Sequence, residues 1–384
     1  MTESSMIPPL LDLRTEMGSD DCIGEFISST DHADIVRVSY AGGDVWLVCE
    51  RNLGRQVLSD ARFSKSPSFA PTWLRDPSGF VGSAETAPPS LITSDGDEHG
   101  RMRRLHSEVF NPRAISSWSA RIEDVTASLL DEIGSESSEA DLVSGLAYPL
   151  PLTVFSQLLG LPAHLNSLLR TASESITFAV DPQTRSEGVA TLFGSVAACV
   201  RQPQELSEGL ITALLALSSG PSPQVTIAEV ITWSAGLILP GHESTASLIA
   251  SVLFEAISLP RGERPASEID QARFVEKVLR VHPPFLTTTW RFAATEVRLG
   301  EYCIPPRSPV LVNIASSNSQ GGDHLSFGYG PHYCLGASLA RLETRIVVRE
   351  FLARFPEVKL SCDNAVLWQS DITVRRIQSL LVEL

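Results

Sequence analysis

A chain of 384 residues with 43% apolar and 20% charged side chains has the composition of an ordinary globular protein, long enough to bury a substantial core as one large domain or several small ones. Its formal charge of −15 argues against nucleic acid or an acidic membrane surface as the main partner. Six scattered cysteines (Cys22, Cys49, Cys199, Cys303, Cys334 and Cys362) form no CxxC pair and read as reduced thiols. With no basic leader ahead of an apolar core, and no run read as long and apolar enough to span a bilayer, a cytoplasmic protein without a membrane partner is expected.

In chain order, two β-like runs, DIVRVSYAG and DVWLVCE, flank Gly42 and Gly43 and predict a hairpin that feeds a helix over NLGRQVLSD. Residues 66–97 are rich in Pro, Ser, Gly and Thr, an irregular stretch of the kind found inside a domain rather than between two. Helical periodicity then dominates, through EHGRMRRLHSEVF, SSWSARIEDVTASLLDEI, YPLPLTVFSQLLGL and a stretch over 226–259 that is too long for an average helix. Short strands return in EVRLGEYCIPP, PVLVNIASS and AVLWQSDITVRRIQSLLVEL. No internal repeat or low-complexity linker interrupts the pattern.

The chemistry concentrates in FGYGPHYCLGASLARLE. Cys334 follows Gly328, Gly330 and Pro331 in a tight loop, just ahead of a helix predicted from about Gly336 to Phe355. Loop N–H groups and the positive end of that helix both favour a thiolate over a thiol. Gly336 leaves the next turn without a side chain, so that a flat, bulky group can approach the backbone. A thiolate beneath a flat cofactor points to haem ligation. The other five cysteines read as small buried hydrophobes. A cysteine hydrolase would need a partner histidine, and His332 is too near along the loop to serve as its base.

This stretch resembles the haem-binding signature of the cytochrome P450 family in its soluble bacterial form, matching at Phe327, Gly328, Gly330, His332, Cys334, Gly336 and the LAR.E tail. The resemblance runs over nearly the whole chain. It implies a single domain over residues 1–384, mainly α with a small β region (α+β), in the cytochrome P450 fold with its triangular-prism shape. The implied cofactor is heme b, its iron held by the axial thiolate of Cys334. His99 and Arg103 in DEHGRMRRL, one helical turn apart on one face, correspond to the family's His-x-x-x-Arg. They would reach the haem propionates together with Arg291 and His332, and Phe327, Gly328 and Gly336 would shape the cofactor's bed. LILPGHESTASLI is similar to the family's oxygen-activation motif. There Gly241 would give room for O2, while Glu243 and Ser244, with Thr245 one position on, would relay protons.

Four departures from the family stand out. Ser244 occupies the place where threonine is usual; it keeps the donor and acceptor but loses the methyl that fixes the rotamer. Pro240 replaces a small residue and would open the helix turn. In FVEKVLRVHPP the glutamate of the family's Glu-x-x-Arg is Lys277, which repels Arg280, so Glu276 is expected to pair with Arg280 at i,i+4. The irregular meander that normally precedes the signature is reduced to SQGG before Asp323. What braces the cysteine loop in its place is left open.

The resemblance implies a haem-thiolate monooxygenase acting on a small organic molecule, free or tethered to a carrier protein, in a tailoring step of secondary metabolism. Hydroxylation, epoxidation and oxidative bond formation all remain open. Electrons are expected from ferredoxin and ferredoxin reductase in trans, docking near Arg101, Arg104 and Arg345, with peroxide as a substitute oxidant. The other reading is a catalytically silent P450-like protein that binds a substrate or recruits a partner. Segments 66–97, 165–201 and 233–244, PPFLTTTW and the turn QSD would line a largely apolar pocket by the same resemblance.

Overall fold

A computed structural model describes residues 10–12, 33–40, 42–75, 89–136, 138–179, 181–361 and 366–384. The principal elements are strands β1 (Leu10–Asp12), β2 (Ile35–Tyr40) and β3 (Gly43–Val48), helix α1 (Arg51–Ser59) and strand β4 (Phe63–Ser64). There follow helices α2 (Gly96–Phe110), α3 (Ser119–Glu136), α4 (Pro149–Leu159), α5 (Asn166–Phe178), α6 (Pro182–Arg201), α7 (Ile227–Ser258) and α8 (Glu268–Val281). Strands β5 (Arg291–Ala293) and β6 (Pro309–Val312) and helices α9 (Ile314–Ser319) and α10 (Ala337–Arg354) complete the frame. They gather into two compact units, Met1–Arg103 with Phe285–Cys334 and Gln369–Arg375, and Arg104–Pro284 with Leu335–Trp368 and Arg376–Leu384. Each unit is assembled from separate stretches of chain, so neither could be read as a block of sequence.

The first unit is built on a six-stranded sheet in the order β1-β2-β3-β6-β5-β4. The predicted hairpin forms, in register from Ile35 opposite Val48 to Tyr40 opposite Gly43, and Gly42 takes the left-handed φ of +92° that its turn requires. Alternate residues feed two apolar layers. Val36, Val38, Val45, Leu47, Phe292 and Leu311 point to one, and Ile35, Trp46, Val48, Ala293, Val310 and Val312 to the other. A sheet covered on both faces explains why these runs are almost continuously apolar. β3 pairs in parallel with β6, β6 antiparallel to β5, and β5 antiparallel to β4, which brings Arg291 and the residues just after β4 to the same edge of the sheet.

The strand expected over PVLVNIASS stops at Val312. Asn313 caps a helix instead, its Oδ1 accepting the Ser316 N–H at 3.0 Å, so the second half of the run is α9. After it, Gly321 and Gly322 both adopt left-handed φ (+87° and +67°) and reverse the chain ahead of Asp323. Two side chains pin the chain around this reversal. Buried Asn318 accepts the Leu325 N–H at 2.7 Å and donates to Ser326 Oγ at 3.1 Å, while Gln320 donates to Cys49 O at 2.9 Å and accepts the Arg51 N–H at 3.0 Å.

The second unit is helical, with a three-stranded antiparallel sheet of Glu139–Asp141, Leu381–Glu383 and Lys359–Leu360. α7 starts on a reciprocal cap in which Thr226 and Glu229 satisfy each other's backbone N–H, and it runs 32 residues to Ser258. By length and composition it could cross a bilayer, which corrects the expectation that no such run exists, but 67% of its apolar window is buried inside the protein and it is a core helix. Glu276 of α8, expected to reach Arg280, grips Arg341 of α10 as a bidentate pair at 2.6 and 3.0 Å. Lys277 lies 5.9 Å from the centre of the Phe274 ring.

Replacing Asn318 by Ala leaves the buried Leu325 N–H without its acceptor. The expected cost is about 1–3 kcal/mol of stability, read by denaturant unfolding, with faster amide exchange localised to residues 325–328.

Candidate active site

Two clusters of functional side chains form, one in each unit. In the first, Asp95 is the hub. Its Oδ2 accepts from Ser64 Oγ and from the Lys65 backbone N–H, both at 2.7 Å, and its Oδ1 lies 3.3 Å from His332 Nε2. Burial opposes ionisation of this carboxyl, yet the hydrogen bonds from His332, Ser64 and Lys65 outweigh it and hold the pKa at about 2. The ring of His332 rests on that of His99, centroids 4.0 Å apart, and the sequence-predicted pair His99 and Arg103 does share one face of α2. Arg103 Nη2 donates to Tyr333 O at 2.7 Å, directly beside Cys334.

Arg291 completes the group from β5. It is 4% exposed and donates to Phe63 O at 3.2 Å and Leu58 O at 3.4 Å, while its Nε has no partner among the described residues. Burial lowers its pKa to about 10. Burial also lowers His99 to about 4, with repulsion from His332 and Arg103 adding to the effect, and it depresses His332 against the opposing pull of Asp95. Arg103 is lowered by burial and raised by Cys334. The sequence reading missed Lys65 and Asp95, which belong to no motif considered there. Lys65 sits 3% exposed, its Nζ donating to Thr289 Oγ1 at 2.5 Å and Trp290 O at 2.7 Å.

Cys334 is exposed, whereas Cys49 and Cys199 are buried; Cys303 is partly exposed, so the expectation of a buried thiol fails there, and Cys22 and Cys362 lie outside the described residues. The Cys334 N–H donates to Phe327 O at 2.8 Å, which closes the loop. Gly328 and Gly330 both take φ of +73°, and a Cβ on Gly330 would stand 2.9 Å from Leu58 O at the end of α1. Arg55 of α1 reaches Tyr329, with Nη2 2.8 Å from the hydroxyl. Phe327 packs at 6.4 Å against Tyr333. Gly336 caps α10 in the second unit at an ordinary φ of −84°, so its case rests on the absent side chain rather than on conformation.

In the second unit α7 carries the other cluster. Glu243 is buried and accepts a short hydrogen bond from the Tyr148 hydroxyl. Burial, with the Glu243 charge, keeps that hydroxyl protonated far above its usual range. His242 is fully buried; its Nδ1 lies 2.8 Å from Ile238 O and so carries the proton, and its Nε2 stands 3.7 Å from Glu243 Oε1. Burial lowers the pKa of His242, with Glu243 opposing. The hydroxyls of Ser244 and Thr245 both turn back onto the helix, to Pro240 O at 2.8 Å and Gly241 O at 3.3 Å. The space left by the missing side chain of Gly241 is closely bounded in a way the sequence did not suggest: a Cβ there would meet the Phe155 ring of α4 at 2.6 Å.

Of the arginines expected to form a docking patch, Arg101 is paired with Glu98 at 2.9 Å, Arg104 is exposed, and Arg345 has a buried Nε without a partner among the described residues. Along α10, Arg349 and Arg354 are each matched by a carboxylate of α3, Glu123 and Asp131, at 2.6 Å. Part of the 66–97 segment expected to line a pocket, residues 76–88, lies outside the described residues.

No family model matches the chain. Cytochrome P-450 monooxygenase DoxA of Streptomyces peucetius subsp. caesius is 33% identical over 353 residues, 84% of this chain and 84% of the relative. The 6-deoxyerythronolide B hydroxylase of Saccharopolyspora erythraea is 30% identical over 406 residues, 97% of this chain and 98% of its own. Among solved structures, that of the tirandamycin C-bound P450 monooxygenase TamI is similar at a TM-score of 0.82 and 25% identity, covering 98% of this chain and 100% of its own.

Glu343 of α10 is 1% exposed with its Oε2 unpartnered among the described residues, and burial raises its pKa to about 8. The folded protein therefore keeps this proton up to about 8, while the unfolded chain releases it near 4.5. Its contribution is full below 4.5 and is lost as pH rises to 8. Relative to Glu343→Gln, wild type should lose up to about 1.4 kcal/mol of stability per pH unit across that window, measured by denaturant unfolding at pH 5 and pH 8.

Proposed function

This chain belongs to the cytochrome P450 family, and we propose from that premise that Cys334 is its axial thiolate and that the Asp95-centred cluster holds the haem propionates. The protein is a monooxygenase with the P450 fold and haem held by a cysteine thiolate. The residues fit the cofactor. Arg291 carries a buried, unpartnered Nε, Arg103 stands beside the cysteine, and the cluster sets several cationic groups around one carboxylate, the donor set that two propionates need. Cys334 is the most exposed thiol among the described residues, on a loop closed by its own N–H. That exposed thiol beside Arg103 is the observation that carries the assignment.

Bound haem supplies O2 activation, in which one oxygen atom enters the substrate and the other leaves as water at the expense of two electrons and two protons. The electrons come from separate donors, which we propose are a ferredoxin and its reductase. The protons pass through α7. Glu243 is the buried acid, and Tyr148 holds its carboxylate in one orientation. Ser244 is the hydroxyl that must leave Pro240 O to take part, at the cost of one local hydrogen bond. The substrate is a small organic molecule, and we propose a tailoring oxidation in secondary metabolism. A relative named as the hydroxylase of 6-deoxyerythronolide B and a tirandamycin C-bound neighbour support that class.

The reduced protein with carbon monoxide should show the red-shifted Soret band of a thiolate-ligated haem, and Cys334→Ser should lose it. A wild-type protein without a haem signal would overturn the reading in favour of a silent binding protein. Addition of 6-deoxyerythronolide B or tirandamycin C as a probe substrate should displace the Soret band of the oxidised protein. Glu243→Gln should lower turnover by about 100-fold or more. Tyr148→Phe should keep haem content while shifting electrons from product to peroxide, measured as peroxide released per NADPH consumed.

A further inference from the structure

The propionate cluster contains a cation that lies outside every motif by which the chain resembles its family. Lys65 follows β4 and is buried to 3% exposure, its ammonium held by Thr289 Oγ1 and Trp290 O, two neutral acceptors in the run that leads into Arg291. Among the described residues no carboxylate pairs with that ammonium, because Asp95 Oδ2 is occupied by the Lys65 backbone N–H and by Ser64. A buried ammonium with only neutral partners is costly, and it persists where an anion is available to offset it. Burial and the neighbouring Arg291 push its pKa well down, and Asp95 only partly compensates.

Charge balance identifies the missing anion. Leaving the histidines aside, Lys65, Arg103 and Arg291 are three cations set against the single carboxylate of Asp95, an excess of two positive charges. Haem b carries two propionates. Without Lys65 the excess would be one, and one propionate would be left without a compensating charge.

We propose that Lys65 is a haem-propionate-binding residue, placed by Thr289 and Trp290 so that the third N–H of its ammonium is free for a carboxylate. Its role rests on the propionate reading of the cluster given above. It also makes haem retention depend on a side chain from the irregular segment after β4.

Haem transfer to excess apomyoglobin, followed at the Soret band, tests this in wild type, Lys65→Met and Lys65→Arg, each loaded with haem b or with its dimethyl ester. With haem b, Lys65→Met should release the cofactor about tenfold faster than wild type, and Lys65→Arg should stay close to wild type. With the ester, wild type and Lys65→Met should release at the same rate. If the Met variant keeps its penalty with the ester, Lys65 acts through packing and the proposal falls. If wild type releases haem b and its ester equally fast, the propionate reading of the whole cluster falls instead. Lys65→Gln gives the same comparison if the Met variant does not fold.

Discussion

The carboxylate of Asp95 ties together the parts of the first unit on which its chemistry depends. It receives donors from the end of β4, at Ser64 and the Lys65 N–H, and from His332 on the cysteine loop, so one ionised group fixes the loop against the edge of the sheet. This half-buried carboxylate stays ionised because both of its oxygens are hydrogen-bonded. Its negative charge also stabilises the surrounding cations. Arg291, Lys65, His99 and His332 are all depressed by burial, and Asp95 opposes that depression in each.

The short connection between α9 and the cysteine loop is braced within the same unit. Asn318 and Gln320 commit their side-chain amides to backbone groups, one on the strand of chain that leads into the loop and the other on the start of α1. α1 itself then supports the loop from below, through Arg55 on Tyr329 and the close approach of Gly330 to Leu58 O. Side-chain amide bonds and two left-handed glycines thus hold this connection in place. In the second unit, Glu276 ties α8 to α10 through Arg341.

In α7, Pro240 removes one helical donor, and three side chains within five residues turn back onto carbonyls one turn earlier: His242, Ser244 and Thr245. The helix stays continuous through the proline. The consequence for function is that the hydroxyl nearest the acid is committed to the backbone at rest, while the acid itself is committed to Tyr148. If α7 delivers protons as proposed, that delivery would depend on side-chain rotation rather than on a preformed chain of donors.

Local pattern was enough to read the hairpin around Gly42, the long helix and the glycine loop, because turns and helical faces are written in neighbouring residues, while Cys334, His99, Arg103, Arg291 and His332 were singled out by resemblance to a family. Everything that depends on distant parts of the chain had to wait for the tertiary structure. Lys65 meets Trp290 across 225 positions, Tyr148 meets Glu243 across 95, and Glu276 meets Arg341 across 65. Gly241 shows the same limit: its missing side chain was legible, and what bounds the space was not, since only the packing of α4 on α7 brings Phe155 there. The sequence by itself determined which groups were candidates for holding a thiolate-ligated haem. Burial and long-range pairing decided how those groups are charged, which of them are held, and that a lysine outside the motifs lies beside Arg291 and Asp95.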